Sequence, residues 1–376
     1  MVSCLGSSRY PEKFDNFESR SFNGHRISTS VLETDTYMKR EPVNAMPRRD
    51  FLRSAAAAAA VTVLSAHGIA SAQSEGNSIK SDHPKGKRQN IMSNITAINA
   101  PTQFVEANGI RFAYRRFGKP GAVPLVFNQH FTGNLDNWDP AVLDGFAKER
   151  EVIIFNNAGV ASSSGEVPST FAGMAKNAEA FIDGLGLKQV DILGFSIGGM
   201  VTQQIVVDRP ELVRKLILVG TAPRNLDVGE GKDYLTPETA AIFGATYNPP
   251  ENLWLKVFFT DSPESQAIGR EFLKRYLSRT ENRDTPINEK VAPAQIAAVG
   301  DWGRQPGERF AYLKSIKQPT LVVSGNHDVI VYTVNSLHLV QNLPNAKLIL
   351  YPDANHGSFY QYHDDFVFEA NRFLNS

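Results

Sequence analysis

The chain has 376 residues, enough for one large domain or two ordinary ones with a sizeable core. Lysine plus arginine and aspartate plus glutamate each number 39, so the basic excess typical of nucleic-acid binding proteins is missing. A content of 42% hydrophobic and 21% charged residues is typical of a globular protein. Cys4 is the only cysteine, which excludes internal disulfides and the usual cysteine-rich zinc sites. We therefore expect no metal, no nucleic-acid partner, and chemistry from oxygen and nitrogen side chains.

The N-terminal region has the three parts of an export signal. A charged segment at residues 46–53 precedes an apolar run at residues 55–64, and the small-residue site Ala70-Ser71-Ala72 follows. The apolar run is too short to span a bilayer, which takes about twenty residues. The alternative is an alanine-rich amphipathic or core helix, but the run has no apolar face opposite a polar one. The pair Arg48-Arg49, followed by Phe51-Leu52, resembles the twin-arginine signal of proteins exported in the folded state.

Residues 1–72 are therefore predicted to be an N-terminal extension with a twin-arginine signal peptide, cleaved after Ala72. The export machinery is the predicted partner of the precursor, and the mature protein is predicted to be periplasmic or secreted. Whether Met1 or Met46 is the true start stays open, since such signals normally lie close to the start. Residues 73–99 are rich in small and polar residues, which predicts a flexible linker.

From residue 103, short β-rich runs alternate with helical stretches. The runs 104–107 and 110–117 flank Asn108-Gly109, a two-residue loop typical of a β-hairpin. Further runs are apolar on both faces, as strands buried in a parallel sheet are: 124–127, 152–155, 190–193, 216–219, 320–323 and 347–350. Helical stretches at 174–185 and 197–208 flank one of them. This alternation predicts an α/β fold with a mostly parallel, doubly wound sheet over residues 100–224 and 305–376.

The segment 225–304 leaves this rhythm and is helical and aromatic. Ser262-Pro263 is a good helix start, and Ile268, Phe272 and Tyr276 follow at four-residue spacing, which predicts one shared face. We predict a helical cap inserted over the carboxyl end of the sheet. Most of its aromatic residues are expected in the core of the cap, with two or three facing a pocket. The aromatic residues in question are Trp254, Phe258, Phe259, Phe272, Tyr276 and Trp302.

A Gly-x-Ser-x-Gly sequence joins the run 190–193 to the helical stretch that follows it. Such a strand-to-helix turn holds its serine, here Ser196, in a strained conformation, and Gly194 and Gly198 remove side chains that would clash. The N-terminus of the following helix favours developing negative charge. The pattern predicts Ser196 as a nucleophile; the alternative is a glycine-rich turn of no special role.

With this motif the chain resembles the α/β-hydrolase family, from about residue 104 to the C-terminus. In that family an acid follows the strand beyond the cap, and a histidine follows the last strand. Asp328 and His356 occupy these positions. The resemblance implies that His356 takes the proton of Ser196 and returns it to the leaving group, while Asp328 orients the imidazole. Two other acids that follow strands stay open as alternatives: Asp227 and Asp353.

The resemblance also implies an oxyanion hole of two N–H donors. One is the backbone of Ile197, directly after the nucleophile. The other comes from the loop after the run 124–127, where Phe131 takes the donor position. Gln129 and His130 stand where the family usually has His and Gly, which brings a polar side chain near the pocket or gives it a structural role. For His130 we expect the structural role.

These features predict a serine hydrolase that cleaves a small to medium, apolar carboxylic ester or lactone through an acyl-enzyme. A serine nucleophile argues against epoxide and haloalkane substrates, for which an aspartate would be expected. Three alternatives stay open: a cofactor-free haloperoxidase-like perhydrolase, a hydrolase of carbon–carbon bonds, and a non-catalytic ligand-binding protein. No metal, nucleotide or flavin motif is present, so we expect no cofactor and a small-molecule substrate.

Overall fold

The computed structural model describes residues 95–121, 123–231 and 234–376. The predicted twin-arginine pair Arg48-Arg49, the cleavage site after Ala72 and Cys4 lie outside them. In the described residues, no helix has the length and apolar character needed to cross a membrane.

The described residues alternate strands with helices, as the sequence predicts. The strands are β1 (Gln103–Ala107), β2 (Ile110–Gly118), β3 (Leu125–Asn128), β4 (Glu151–Phe155), β5 (Val190–Phe195), β6 (Val213–Val219), β7 (Thr320–Gly325) and β8 (Ala346–Tyr351). The helices are α1 (Pro140–Ala147), α2 (Phe171–Gly184), α3 (Ile197–Asp208), α4 (Pro237–Gly244), α5 (Asn252–Phe258), α6 (Pro263–Tyr276), α7 (Val291–Trp302), α8 (Val334–Asn342), α9 (Ser358–Gln361) and α10 (His363–Asn375).

All eight strands form one sheet in the order β1-β2-β4-β3-β5-β6-β7-β8. The pairs β1–β2 and β2–β4 are antiparallel, and the strands from β4 to β8 run parallel. Asn108 and Gly109 both have positive φ, 49° and 74°, as a type I′ hairpin turn requires. The predicted hairpin and the predicted mostly parallel α/β sheet are confirmed.

The two faces of the sheet carry two separate hydrophobic cores. Alternate residues of a strand point to opposite faces, so Phe127 and Leu193 belong to one core and Val126 and Ile192 to the other. Helices α1 and α10 cover the first face, and α2, α3 and α8 cover the second. The prediction that every run is buried on both faces is wrong for β8, where Leu350 is exposed. This strand lies at the edge of the sheet and pairs only with β7.

Helices α4 to α7 lie between β6 and β7, where the sequence predicts a cap. Ser262 begins α6 as its N-cap, and its side chain accepts the N–H of Ser265 at 3.1 Å, as expected. Phe272 and Tyr276 are buried, but Ile268 is 36% exposed, so the predicted common face is wrong at this residue. Four residues turn the helix about 40° beyond a full circle, so this spacing drifts off the buried side.

A buried ion-pair network fastens the end of the cap segment to the core. The carboxylate of Asp136 accepts a hydrogen bond from Nη1 of Arg115 and one from the backbone N–H of Asp284, both at 2.7 Å. The side chain of Asp284 in turn accepts from Nδ2 of Asn156 at 2.6 Å. Only 1% of the Arg115 side chain and 3% of the Asp136 side chain are exposed. These bonds join the segment before α7 to strand β2 and to the loops after β3 and β4.

The residues just before β1 are packed against the core, although the sequence predicts a flexible linker as far as residue 99. The N–H of buried Ala97 donates to Oδ1 of Asp144 at 2.7 Å. The guanidinium of Arg279 donates to the carbonyls of Ala97 and Ala100, at 3.2 and 2.9 Å. Ordered contacts therefore include the end of the predicted linker.

Candidate active site

Ser196 lies in the sharp turn between β5 and α3. Its backbone has a φ of 56° and a ψ of −123°, which is a strained conformation for any residue other than glycine. Two bonds from the neighbouring strand hold this turn. The N–H of Ser196 donates to the carbonyl of Val219 at 2.9 Å, and the hydroxyl of Thr221 donates to the carbonyl of Ser196 at 2.7 Å. The sequence motif therefore forms the strained turn that it predicts.

Gly194 and Gly198 are required by close approach of the backbone. A Cβ on Gly194 would lie 2.5 Å from the carbonyl oxygen of Gly198. A Cβ on Gly198 would lie 2.1 Å from the carbonyl oxygen of Asn128 and 2.7 Å from that of Gln129. The loop after β3 thus lies directly against the first turn of α3. We call residues 129–134 the β3 loop.

His356 and Asp328 form a buried pair. Nδ1 of His356 lies 2.9 Å from Oδ2 of Asp328. The other carboxylate oxygen accepts the N–H groups of Ile330 and Val331, at 3.0 and 2.9 Å. Because an ionised carboxylate only accepts hydrogen bonds, Nδ1 carries the ring hydrogen, and Nε2 is left as an acceptor.

The two alternative acids have other partners. Asp353 accepts the hydroxyls of Thr260 and Ser262, at 2.6 and 2.5 Å. Asp227 accepts the N–H of Gly229 at 2.9 Å. Of the three candidate acids, the structure places Asp328 against His356.

Ser196 and His356 line the same cavity, which has a volume of about 80 Å³. Phe131 and Ile197, the predicted oxyanion-hole residues, line it as well. Most other lining side chains are apolar, and several come from the cap, including Phe243, Trp254, Val257, Phe258 and Ile296. Two of the six cap aromatics considered from the sequence, Trp254 and Phe258, face this cavity, which confirms the expected number.

The β3 loop leaves the N–H of Phe131 unused. The N–H of His130 donates to Oε1 of Gln129 at 2.8 Å, that of Thr132 to Oε1 of Gln295 at 2.7 Å, and that of Gly133 to the carbonyl of His130 at 3.1 Å. No residue among 95–121, 123–231 and 234–376 accepts the N–H of Phe131 or that of Ile197 in a backbone hydrogen bond. Both residues border the cavity that Ser196 lines.

Gln129 braces the β3 loop from within. Besides accepting the N–H of His130, its side chain donates from Nε2 to the carbonyl of Asn134 at 2.9 Å. A Cβ on Gly133 would lie 2.4 Å from Cγ of Gln129, so glycine is needed for this side chain to fold back. The residue that replaces the family's usual histidine thus has a structural role in the loop.

His130 combines a structural bond with a place in the cavity lining. Its Nδ1 donates to the carbonyl of Phe131 at 2.9 Å, and its ring packs edge-on against Phe195, Trp254 and Phe258. Burial lowers the pKa of His130 to about 4, so the ring is neutral near pH 7. The expected structural role of His130 agrees with its bond to Phe131, and the ring also borders the cavity.

Two residues that hold this region could not be found from the sequence. Gln295 lies on cap helix α7, 163 positions from its partner Thr132. Thr221, which binds the carbonyl of Ser196, follows β6 without a recognisable motif. A polar residue in a helix or after a strand is usually exposed, so only the three-dimensional contacts identify these two.

A family model described as alpha/beta hydrolase fold matches residues 123–361. This chain belongs to the α/β-hydrolase family. A solved structure of an alpha/beta hydrolase fold protein from Chitinophaga pinensis is similar, with a TM-score of 0.70 and 40% identity, covering 75% of this chain and 100% of the other.

Two curated relatives are similar at lower identity. Poly(3-hydroxyalkanoate) depolymerase of Ectopseudomonas oleovorans is 28% identical over 264 residues, covering 67% of this chain and 84% of the relative. The dihydrolipoyllysine-residue acetyltransferase component of the acetoin cleaving system of Cupriavidus necator is 29% identical over 269 residues, covering 71% of this chain and 67% of the relative. The family and the depolymerase relative identify the chain as an enzyme with hydrolase activity.

Proposed function

We propose that this α/β-hydrolase is a serine hydrolase that cleaves a small to medium, largely apolar carboxylic ester or lactone. One observation carries the proposal. His356, whose Nδ1 lies 2.9 Å from the buried carboxylate of Asp328, borders the same largely apolar cavity as Ser196, which lies in a strained turn. A nucleophile, a base and a group that orients the base are the parts that acyl transfer requires.

In the first half-reaction, Nε2 of His356 takes the hydroxyl proton of Ser196 as Oγ attacks the carbonyl carbon of the ester. The negative charge that develops on the carbonyl oxygen is stabilised by the N–H groups of Phe131 and Ile197. Asp328 keeps the ring hydrogen on Nδ1 and stabilises the imidazolium. The bond to the alkoxy group then breaks, and the leaving group takes the proton from Nε2, which leaves an ester on Ser196.

In the second half-reaction, water attacks this ester. His356 takes a proton from the water, and the carboxylic acid leaves as Ser196 recovers its hydrogen. The same two N–H groups stabilise the second tetrahedral intermediate. Every proton thus moves between the substrate, water, Ser196 and His356, so this chemistry needs no further reagent.

The cavity supports the substrate class. No lysine, arginine, aspartate or glutamate lines it, within the part of the chain that the structure describes. A charged acyl group would therefore lose its hydration without gaining a counter-ion, which is costly. The volume of about 80 Å³ suits a small apolar group. Cap side chains such as Trp254 and Phe258 form part of its wall, which would exclude water from the reacting carbonyl.

The test is hydrolysis of a panel of p-nitrophenyl esters from acetate to octanoate, with a simple lactone. We expect activity in the wild type, strongest for short acyl chains, and loss of activity in Ser196→Ala with the fold retained. Ser315→Ala, at an exposed serine, is the matched control and should keep the wild-type rate. Undiminished hydrolysis in Ser196→Ala would reject the proposal.

A perhydrolase or a carbon–carbon bond hydrolase would use the same three side chains. Peroxide-dependent halogenation and cleavage of a ring-fission product, measured beside ester hydrolysis, distinguish these activities. A ligand-binding protein without catalysis would show none of the three. We expect ester or lactone hydrolysis to be the fastest.

We also propose that the precursor is exported by the twin-arginine machinery and cleaved after Ala72. The sequence from Arg48-Arg49 to Ala70-Ser71-Ala72 supports this. N-terminal sequencing of the exported protein tests it. A mature protein that still carries Arg48-Arg49 would contradict it.

A further inference from the structure

We infer that Gln295, on cap helix α7, is a positioning residue for the reaction. Its side-chain oxygen holds a strained turn of the β3 loop in the conformation that presents the N–H of Phe131 to the substrate. The inference rests on the proposed function, because it assigns a role within the oxyanion hole of that site. It would make the cap a working part of the catalytic machinery as well as a wall of the cavity.

Residues 130–133 of the β3 loop form a tight turn. The N–H of Gly133 donates to the carbonyl of His130 at 3.1 Å, which closes a four-residue turn. Its third residue, Thr132, has a φ of 57°. A positive φ at this place is the feature of a type II turn, where glycine or asparagine is the usual residue. Threonine is β-branched, so this conformation is strained.

Three hydrogen bonds keep the strained turn in place. Type I and type II turns differ in the orientation of the middle peptide, which here carries the carbonyl of Phe131 and the N–H of Thr132. The carbonyl accepts Nδ1 of His130 and the hydroxyl of Thr132, at 2.9 and 2.8 Å. The N–H donates to Oε1 of Gln295 at 2.7 Å. Two of these bonds come from within the turn, and the third comes from the cap.

The same turn fixes the direction of the N–H of Phe131. A peptide unit is planar with its C=O and N–H on opposite sides. The carbonyl of His130 faces the N–H of Gly133, so the N–H of Phe131, in the same peptide, points away from the inside of the turn. Stabilisation of an oxyanion depends on donors that are fixed before the reaction. A turn free to relax at Thr132 would no longer fix Phe131.

Gln295 lies in a buried position on helix α7. Gln295 is 5% exposed, and its bond to Thr132 is partly buried, which limits competition from water. Helix α7 also supplies Ile296 to the wall of the main cavity, so the same stretch of the cap borders the substrate and holds the loop. Removing the acceptor would leave the N–H of Thr132, in a half-buried residue, without this partner, and the strained turn would lose its support from the cap.

The test compares Gln295→Met with Gln266→Met. Gln266 is a partly buried glutamine of the cap whose amide donates to the carbonyls of Leu255 and Thr260, away from the β3 loop. The measurements are kcat and KM for the best ester of the panel, the rate of Ser196 labelling by a fluorophosphonate, and the thermal midpoint. Gln295→Asn, whose oxygen is one methylene short of Thr132, replaces the Met variant if that variant does not fold.

We expect Gln295→Met to lower both kcat and the labelling rate by about 10- to 100-fold, since a misplaced or missing oxyanion donor has effects of this order. KM should change by less than about twofold, because the bond supports the transition state rather than ground-state binding. Gln266→Met should keep the wild-type values. Adding Thr132→Gly to Gln295→Met should recover part of the lost rate, because glycine adopts positive φ without strain but lacks the hydroxyl that donates to the carbonyl of Phe131.

Equal rates in the two Met variants would overturn the inference, as would an increase in KM alone or no recovery with Thr132→Gly. These results require a wild type that reacts with the fluorophosphonate at Ser196. A wild type that does not react would overturn the proposed function, and the inference with it. The two failures are therefore distinguishable.

Discussion

Gly198→Ala is the sharpest local test of the site, because the atoms that a new Cβ would meet belong to the backbone. A Cβ would lie 2.1 Å from the carbonyl oxygen of Asn128 and 2.7 Å from that of Gln129, whereas real Cβ contacts essentially never fall below 3.0 Å. The end of β3 and the first turn of α3 must therefore separate by about 0.9 Å, the gap between 2.1 and 3.0 Å, which also shifts the adjoining β3 loop. Neither neighbour is a flexible side chain that could turn aside.

This separation acts on the two predicted oxyanion donors at once. Ile197 precedes Gly198 on α3, and Phe131 lies three residues beyond Asn128 in the β3 loop. A misplacement of about 1 Å at a reacting group costs about 100-fold in rate, and crowding of a packed core costs about 1–3 kcal/mol of stability. We expect kcat/KM for the best ester to fall by about 100-fold, with the free energy of unfolding lowered by about 1–3 kcal/mol.

The assay is steady-state ester hydrolysis together with urea unfolding. Gly121→Ala is the control, because a Cβ there meets no atom within 4 Å and its φ lies outside the left-handed region. It should leave both the rate and the stability close to wild type. A folded Gly198→Ala enzyme whose kcat/KM stays within about threefold of wild type would refute the role assigned to the spacing between the β3 loop and α3.

Three further substitutions test other parts of the site and the fold. Asp328→Asn should lower kcat by about 10⁴-fold with little change in KM, because an amide facing Nδ1 of His356 favours the wrong tautomer; a loss below tenfold would argue against Asp328 as the acid. Burial makes the folded protein favour the neutral ring of His130. The stability that this neutral ring allows is therefore complete above pH 6.5 and is lost as the pH falls towards 4. Urea unfolding between pH 7 and 4 should therefore show about 3 kcal/mol less acid destabilisation in His130→Asn than in wild type, and an equal pH dependence would contradict the buried neutral ring. Asp136→Asn leaves the buried guanidinium of Arg115 without its charge partner and should lower the free energy of unfolding by about 3–5 kcal/mol; a change below 1 kcal/mol would show that the network does not fasten the cap.

Much of the fold follows from the sequence because its signals are local. Buried parallel strands are apolar on both faces, and helices start at residues such as Ser262, so the positions of the strands and of the cap along the chain could be predicted from short stretches. The sequence was misleading where burial depends on neighbours. Leu350 has an apolar side chain in an apolar strand, yet it is exposed because no ninth strand covers that edge in the described residues.

The candidate site also has residues that the sequence predicts and contacts that it does not. Ser196 and its glycines form one contiguous motif, and the resemblance to the α/β-hydrolase family assigns Asp328 and His356 from their places after the strands. The structure brings His356 and Asp328 into contact and places Ser196 at the same cavity. The contact between Gln295 and Thr132 has no such signal, because it joins two segments that only the docking of the cap brings together. The burial of His130 likewise depends on three aromatic rings from two parts of the chain.

The central claim is that Ser196 forms a covalent acyl-enzyme. The most direct measurement is mass spectrometry of enzyme quenched in acid during turnover of p-nitrophenyl butyrate, followed by peptide mapping. The account predicts a butyryl group on the peptide that contains Ser196, absent from the Ser196→Ala variant. Rapid turnover of the ester with no acyl group on Ser196, or with the acyl group on another residue, would contradict it.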